Sequence, residues 1–250
     1  MNNIIQIKTL PKVPYIDNGD NIADIIIASA EIAKITFKEN DILCVSSKAV
    51  SISEGRIMSL NDVVVSDVAN KIHKKIPRKD PRTIQAIIDE TGSPDGSRID
   101  LDINYIAGWL PNGLRLTSSG VDKKNSDEVI LLPKNPDKSA REIGEKIHSV
   151  FGVKVAVIIT DSDGRVEKRG ATQLAIGLYG IPPIRYTESK DKEGKISKSE
   201  ETISDMLAAS AGLIMGQRGT NKPVVIISGF EFEFDDKSTI LESLSRANLV

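Results

Sequence analysis

Cysteine, histidine and tryptophan are scarce in this sequence, and these shortages exclude whole classes of protein. Cys44 is the one cysteine among 250 residues, so no disulfide can form within the chain, and we expect a reducing, cytoplasmic location. His73 and His148 fall in predicted helices without partners at metal-ligand spacing, which argues against a histidine-based metal centre. No apolar run approaches the roughly 20 residues that span a bilayer, and the N-terminus lacks the apolar core of a signal peptide. We therefore expect no membrane partner.

An excess of charge of either sign is also lacking. Lys and Arg number 33 against 35 Asp and Glu, so the formal net charge is -2 and nothing indicates a general nucleic-acid-binding protein. Hydrophobic residues make up 40% and charged residues 27%, as in ordinary soluble domains. We therefore expect small-molecule partners, held where cations cluster locally.

Helix and strand patterns are both present, but they alternate irregularly. Helices are predicted over residues 21–38, 68–76, 81–90, 139–151, 203–215 and 239–247. Strands are predicted over 41–46, 62–65, 114–118, 154–160 and 224–228. Segments 92–112 and 190–201 are interpreted as loops. Without repeats or a long linker, we expect one unit over residues 1–250, built as two intertwined lobes, and both α+β and α/β classes remain open.

The stretch VIITDSDGRVEKRG, residues 157–170, begins in the most apolar predicted strand and continues beyond its end. Asp161 and Asp163 come at the predicted strand end, where carboxylates can hold Mg²⁺ or Mn²⁺. Gly164 permits a positive φ and a close backbone approach, and Arg165 and Arg169 can neutralise phosphate oxygens. A plain polar turn explains the same residues equally well.

This stretch resembles two other kinds of site. An EF-hand is excluded, because its loop has glycine at the sixth position between helices, whereas Gly164 is fourth after a strand. Haloacid-dehalogenase-type phosphatases share a strand followed by D-x-D-G, and Asp235-Asp236 could imitate their later acidic pair. That motif usually lies near the start of the domain, whereas most of this chain precedes it. A phosphatase therefore remains as a weaker alternative.

Three further segments carry polar groups suited to a nucleotide. TSSGVDKKNS contains Asp122 and Asn125, SSKAVSISEGR begins with Ser46, Ser47 and Lys48, and LIMGQRGTNKP is a glycine-rich loop after a helix. The second is not a Walker A loop, because the required glycines are missing. Taken singly, each segment is equally compatible with a turn, a strand end or a helix-to-strand loop.

Taken together and in order, the four segments resemble the coenzyme F420-0:L-glutamate ligase family, also called γ-glutamyl ligases. The resemblance covers nearly the whole chain and rests on several motifs. They are Asp161, Ser162, Gly164, Arg165, Lys168, Arg169 and Gly170; Thr172, Ala175, Ile176 and Gly177; Gly120, Val121, Asp122 and Asn125; SEGR at 53–56; and VPYIDNGDNI near the N-terminus.

The resemblance implies a function and a fold. That family joins the amino group of L-glutamate to an acceptor carboxylate, with GTP, two divalent cations (Mg²⁺ or Mn²⁺) and a monovalent cation such as K⁺ taking part. The γ-phosphoryl group passes to the acceptor carboxylate, and the amine then attacks the acyl phosphate. The family forms homodimers with an α+β fold of mixed sheets and flanking helices, not a Rossmann sheet.

Residue roles follow from the same resemblance, position by position. The catalytic residues would be Asp161, Arg165 and Arg169, and the metal ligands Asp122, Asp161, Ser162 and Gln217. The nucleotide would be bound by Val13, Pro14, Tyr15, Ile16, Ser46, Ser47, Lys48, Asn125, Met215, Gly216, Gln217, Arg218 and Gly219. Asp163 falls at a variable position and is expected to be a bystander.

The sequence departs from the family pattern at several positions. Ile52 stands where the family usually has lysine, which predicts weaker phosphate binding, and Gln217 stands where it often has an acidic residue, which weakens the second metal site. These departures keep two alternatives open. One is a folate γ-glutamyl ligase of the same family, and the other is a non-catalytic homologue that binds nucleotide or metal.

Overall fold

A computed structural model describes residues 4–217 and 219–245, in which strands and helices mix. The strands are β1 (Gln6–Thr9), β2 (Ile42–Ser46), β3 (Ile57–Ser59), β4 (Ile99–Asp102), β5 (Tyr105–Trp109), β6 (Arg115–Thr117), β7 (Asp122–Lys123), β8 (Glu128–Ile130), β9 (Ala156–Arg165), β10 (Lys168–Tyr179), β11 (Ile184–Lys190), β12 (Ile196–Thr202) and β13 (Val224–Ser228). The helices are α1 (Ile22–Ala33), α2 (Ser47–Ser53), α3 (Asp67–Lys75), α4 (Pro81–Glu90), α5 (Pro136–Phe151) and α6 (Ile203–Met215). Short 3-10 turns span Leu60–Asp62, Ser118–Gly120 and Ile240–Ser243.

A five-stranded sheet in the order β1-β13-β2-β9-β10 forms the centre of the molecule. Strands β2 and β9 run parallel, and the other neighbouring pairs of this sheet are antiparallel. Three smaller sheets are β3-β8-β7, β4-β5-β6 and β11-β12. The expected α+β class is therefore confirmed, and the parallel sheet of a Rossmann fold is excluded.

The central sheet is buried on both faces, because alternate side chains of its strands enter two different cores. Val157 and Ile159 pack in the core that includes α1, α2 and α5, whereas Ala156 and Ile158 pack in the core that includes α6. A third core lies between α3, α4 and β8. Cys44 is fully buried in β2, as expected, and burial raises the pKa of its thiol to about 12. None of the helices in the described ranges has the length and apolarity to cross a membrane.

Helix ends follow the local chemistry that the sequence shows. The side chain of Asp80 accepts a hydrogen bond from the backbone N–H of Arg82, and Pro81 begins α4. Gly152 ends α5 in the left-handed region at φ 72°, and Gly216 follows α6. These predicted caps are confirmed.

Several predicted boundaries were wrong. The most apolar strand does not end at Asp161, because β9 continues to Arg165 and pairs with β10 in a long hairpin. Gly164 accordingly has no positive φ and lies in extended backbone. The supposed loop 190–201 forms much of the β11-β12 hairpin, since paired backbone groups tolerate charged side chains that point into water.

Three smaller regions also differ from the predictions. Residues 92–112 contain β4 and β5, which pair with each other although their pattern is irregular. The predicted strand 62–65 is replaced by the 3-10 turn and an unpaired extended segment. Of the predicted terminal helix, only the turn Ile240–Ser243 is seen, and residues 246 and 247 lie outside the described residues.

Candidate functional site

A cleft of about 690 Å³ opens beyond the carboxyl end of β2, beside the middle of β9, and most of the predicted site residues line it. These two strands are parallel neighbours, and their pairing ends with Ser46 opposite Thr160. The residues that follow Ser46 and Thr160 therefore lie close together. The lining residues are Ser46, Ser47, Lys48, Asp122, Lys123, Lys124, Asn125, Thr160, Asp161, Ser162, Gln173, Met215, Gly216, Gln217, Gly219, Thr220, Asn221, Lys222 and Pro223. Its volume is that of an ordinary small-molecule site.

Asp161 is the most deeply placed acid of the cleft. Strand alternation directs it toward α2, where Ser47 Oγ donates a hydrogen bond of 2.7 Å to Asp161 Oδ1. Burial raises the pKa of Asp161 to about 7, against the lowering effect of the Ser47 hydrogen bond, and the negative charges of Asp122 and Asp163 add to the rise. A carboxyl in this position gains most from a bound cation, because a cation would compensate both the burial and the neighbouring charge.

Asp122 reaches the cleft from a turn with unusual backbone. Ser118, Ser119 and Gly120 are consecutive left-handed residues with φ of 54°, 51° and 72°. Such a conformation is costly for residues other than glycine, so surrounding contacts must hold it. Lys79 Nζ donates to Ser118 Oγ at 3.0 Å, and the buried Ser119 Oγ donates to the carbonyl of Ile87 at 3.0 Å. The strained turn is thereby anchored to α4 and to the segment before it.

Cations and an amide surround the mouth of the cleft. Lys48 Nζ lies 3.8 Å from Asp122 Oδ2, and both side chains are about half exposed. Asn125 Nδ2 donates to Glu128 Oε2 at 2.6 Å, which orients the amide at the cleft wall. Lysines 123, 124 and 222 complete a lining in which ammonium groups outnumber carboxylates among the described residues. The cleft is therefore suited to an anionic ligand.

The loop after α6 forms the opposite wall. Thr160 Oγ1 contacts Met215 Sδ at 3.7 Å, and Thr220 Oγ1 donates to the Met215 carbonyl. Gln217 and Gly219 are exposed in this wall. Arg218, which the sequence predicts to bind nucleotide, lies outside the described residues.

Some predicted site residues lie elsewhere. Arg165 and Arg169 are exposed on the β9-β10 hairpin and do not line the cleft. The segment 13–16 is likewise separate: Val13 and Ile16 are buried in the core with α1, whereas Pro14 and Tyr15 are exposed. The roles predicted for these six residues stay predictions.

Asp163 has a structural partner. Its Oδ1 accepts a hydrogen bond of 2.7 Å from the backbone N–H of Thr117, and Thr117 Oγ1 also accepts from the backbone N–H of Gly164 at 3.1 Å. These bonds fasten β6 to the far half of β9. Asp163 does not line the cleft, in agreement with its expected place as a bystander.

Two residues of the site carry no recognisable signal in the sequence. Lys79 supports the turn before Asp122, and Gln173 lines the cleft floor from β10. Lys79 carried no local signal, because it lies 39 residues from the serine it contacts. Gln173 could have been suspected only after β9 and β10 had been paired in register, which places it opposite Ser162.

The donor chemistry suits a hard divalent cation that also binds the substrate. No group of three or more His, Cys, Asp or Glu side chains that could hold a metal occurs within residues 4–217 and 219–245. Mg²⁺ is commonly held by one or two carboxylates together with waters and substrate phosphates. Asp161, which has a raised pKa and accepts a hydrogen bond from Ser47, and Asp122 fit that pattern, and Ser162 also lines the cleft.

Comparison with known proteins matches this chain to one family. The family model described as F420-0:Gamma-glutamyl ligase matches residues 11–229. A coenzyme F420:L-glutamate ligase from Methanosarcina mazei is 34% identical over 242 residues, which cover 95% of this chain and 91% of the relative. Proteins with the same name from Methanopyrus kandleri and Archaeoglobus fulgidus are 33% and 30% identical and cover 92% and 90% of this chain, with 89% and 88% of their own lengths aligned.

Proposed function

This chain belongs to the F420-0:gamma-glutamyl ligase family, and we propose from that membership that it joins L-glutamate through an amide bond to a carboxylate of F420-0 or a related acceptor. GTP is the phosphoryl donor in this proposal. The family match and the names of the relatives support the glutamate-ligase chemistry. The residues of the cleft support a mechanism that uses phosphoryl transfer.

One observation carries the proposal: segments that are far apart in the sequence converge on one cleft. Ser47 and Asp161 are 114 positions apart and share a hydrogen bond, and Asp122 and the loop after Met215 face the same space. This arrangement puts carboxylates, hydroxyls and lysines around one space. Such groups suit phosphoryl transfer, because in that reaction the protein mainly positions the substrates and stabilises charge.

The proposed reaction has two steps. A carboxylate oxygen of the acceptor attacks the γ-phosphorus of GTP, the bond to the β-phosphate oxygen breaks, and an acyl phosphate and GDP form. The uncharged amine of L-glutamate then attacks the acyl carbon, and inorganic phosphate leaves as the amide forms and the amine loses a proton. Lys48 and the lysines of the cleft wall hold the anionic substrates close together in both steps.

Asp161 and Asp122 would hold one divalent cation, Mg²⁺ or Mn²⁺, and the hydroxyl of Ser162 would contact a second. A bound cation supplies positive charge that offsets the charge of the phosphoryl oxygens. Ser47 keeps the Asp161 carboxyl oriented toward the cleft through its 2.7 Å hydrogen bond. Gln217, exposed in the cleft wall, contributes a neutral amide oxygen, so a second cation would be bound more weakly than by an acidic residue.

We also propose that the chain forms a homodimer. The β11-β12 hairpin is a two-stranded sheet of its own, and such hairpins are only marginally stable unless something packs on them. Tyr186 and Ile196 are 69% and 58% exposed on it, so an apolar part of its surface is available to a second copy.

Product analysis by mass spectrometry tests the function. The full chain is incubated with GTP or ATP, Mg²⁺ or Mn²⁺, K⁺ and L-glutamate, together with either F420-0 or a folate acceptor. We expect glutamate addition to F420-0 that depends on nucleotide and divalent cation. Addition to folate alone would move the acceptor assignment to the folate ligases.

Two other results would replace the proposal. Nucleotide binding without turnover on either acceptor would indicate a non-catalytic homologue. Release of phosphate from phosphomonoesters without nucleotide would indicate the phosphatase, which Asp163 already disfavours, because its carboxylate is bound to Thr117 and does not line the cleft.

A further inference from the structure

Gln173 is a buried glutamine on the floor of the cleft. It lies in β10 with its Cα opposite that of Ser162 in β9, so both side chains project from the same face of the sheet. Its side chain lines the cleft although the residue is only 7% exposed. No motif of the sequence marks it, and the binding roles assigned above do not include it.

The amide of Gln173 has no hydrogen-bond partner among the described residues. Within the described ranges, Ser204 Oγ is the only side-chain nitrogen or oxygen that is both sealed from solvent and without a hydrogen-bond partner. The amide of Gln173 is therefore not sealed from solvent. The amide therefore borders the space of the cleft. An amide that is held by no protein group of the described residues and faces the cleft keeps its donors and acceptor available to a ligand.

Gln85 provides the contrast within the same chain. It is 8% exposed, its Oε1 accepts from the backbone N–H of Ser66 at 2.9 Å, and its Nε2 donates to Asp89 Oδ1 at 2.8 Å. Gln85 lies in α4, away from the cleft lining, and both ends of its amide are used. Gln173 has the same side chain and the same burial, but its hydrogen-bonding capacity is directed to the cleft.

The stem of Gln173 is fixed by α6. A Cβ atom placed on Gly212 would lie 2.8 Å from Gln173 Cγ and 3.3 Å from Gln173 Cβ, so only glycine leaves room for this side chain. Glycine inside a helix is destabilising relative to alanine, so α6 loses stability where it accommodates the glutamine. The helix therefore holds the amide in place from one side while the cleft leaves it open on the other.

The charges around the amide indicate which of its ends binds. Lysines 48, 123, 124 and 222 line the cleft, and they favour an anionic ligand over a cationic one. A neutral amide can donate two N–H groups to such a ligand. Ser162 stands directly across the strand pair, so an oxygen bound near its hydroxyl is adjacent to Gln173.

We propose that Gln173 is a substrate-binding residue whose side-chain N–H groups donate to an anionic oxygen bound beside Ser162. The oxygen belongs to a phosphoryl group of the nucleotide or to a carboxylate of glutamate. The choice between these two substrates rests on the proposed function, whereas the anion-binding role rests on the cleft itself.

Substitution of Gln173 and Gln85 by methionine tests the assignment, because methionine keeps the length of the side chain and removes the amide. Without ligands, Gln173→Met is expected to keep or raise the Tm, since no hydrogen bond is lost. Gln85→Met is expected to lower the Tm by about 2 °C or more, because it leaves the Ser66 N–H and Asp89 without their partners. A Gln173→Met loss as large as that of Gln85→Met would overturn the proposal.

Ligand binding is then compared between the variants and the wild type. Calorimetry with Mg·GTP and steady-state kinetics in L-glutamate separate the two sources of the oxygen. Gln173→Met is expected to weaken one of them, as nucleotide Kd or as KM for glutamate, by about 10- to 100-fold, the usual effect of losing a hydrogen bond to a charged group. Gln173→Glu is expected to weaken binding of the same substrate further, because the new carboxylate repels the anionic oxygen. Gln85→Met is expected to bind both substrates as the wild type does.

The outcomes separate this inference from the proposed function. Wild-type protein that binds Mg·GTP without ligating glutamate contradicts the proposed function, and the Kd of Gln173→Met still decides the inference. Gln173→Met protein with unchanged nucleotide Kd and, where ligation occurs, unchanged KM for glutamate would overturn the inference alone. Wild-type protein that binds neither substrate contradicts both.

Discussion

At the scale of single residues, Asp161 and Asp163 carry the same functional group on the same strand and have different partners. Asp161 receives a hydrogen bond from Ser47 and lines the cleft, whereas Asp163 holds the backbone of Thr117. Matched substitutions of the two residues therefore test the proposed chemical role of Asp161 against the structural role of Asp163.

Loss of an outer-shell partner of a metal ligand costs roughly 10–100-fold. In the proposed function Asp161 is itself a metal ligand, so Asp161→Ala is expected to lower glutamate ligation by more than that. Asp163→Ala is expected to leave glutamate ligation close to that of the wild type. It should lower the free energy of unfolding by about 1–3 kcal/mol, because the Thr117 N–H loses its acceptor. Product mass spectrometry and urea denaturation measure the two effects. Equal loss of activity in both variants would contradict the separation.

At the scale of elements, the packing of β10 on the first turn of α5 depends on a glycine. The β9-β10 register shifts between Ala175 and Gly177, and Leu178 N–H then donates to Asp137 Oδ1 at 2.7 Å. A Cβ atom on Gly177 would overlap Pro136 and lie 2.7 Å from the backbone nitrogen of Asp137. Backbone atoms cannot rotate away, so the strand and the helix would have to separate.

Gly177→Ala is accordingly expected to lower the free energy of unfolding by about 1–3 kcal/mol, the usual effect of overpacking. Gly164→Ala is the control, because Gly164 lies in the same hairpin and the atom nearest to a Cβ there, Thr117 Oγ1, is 3.5 Å away. Its effect should stay within about 0.5 kcal/mol. Chemical denaturation of both variants measures the difference, and equal stabilities would refute the packing argument.

At the scale of the whole molecule, the β11-β12 hairpin is the element expected to meet a second copy. Tyr186 pairs with Glu200, and Ile196 pairs with Lys190, on one face of the hairpin, while Thr187 and Ser199 pair on the other. The two faces thus offer a test of which side is covered.

The double substitution Tyr186→Lys and Ile196→Lys is expected to shift the mass measured by light scattering from about twice 27.2 kDa toward the monomer value, because charge replaces the apolar surface. The double substitution Thr187→Lys and Ser199→Lys adds the same charge to the opposite face and should leave the mass unchanged. Wild-type protein with the monomer mass would contradict the dimer itself, and the same mass for both double variants would contradict the choice of face.

Local signals in the sequence predicted much of the fold. The caps Asp80, Gly152 and Gly216 and the apolar periods of α1, α4, α5 and α6 come from interactions within a few residues, so their positions could be predicted. The sequence did not predict the β11-β12 hairpin, because its strands carry charged residues on exposed faces and are stabilised by backbone pairing rather than by an apolar pattern. The division into intertwined lobes stays a prediction.

The sequence by itself determined which segments are candidates for the chemistry, because residues such as Asp122, Asp161 and Ser47 bring their functional groups wherever the chain places them. Only the tertiary structure decided which of them meet. The parallel pairing of β2 with β9 joins positions more than 100 residues apart, and the β9-β10 register sets Gln173 beside Ser162 and Asp163 outside the cleft. Strand register depends on long-range pairing and on burial of a whole face, and no short stretch of sequence contains that information.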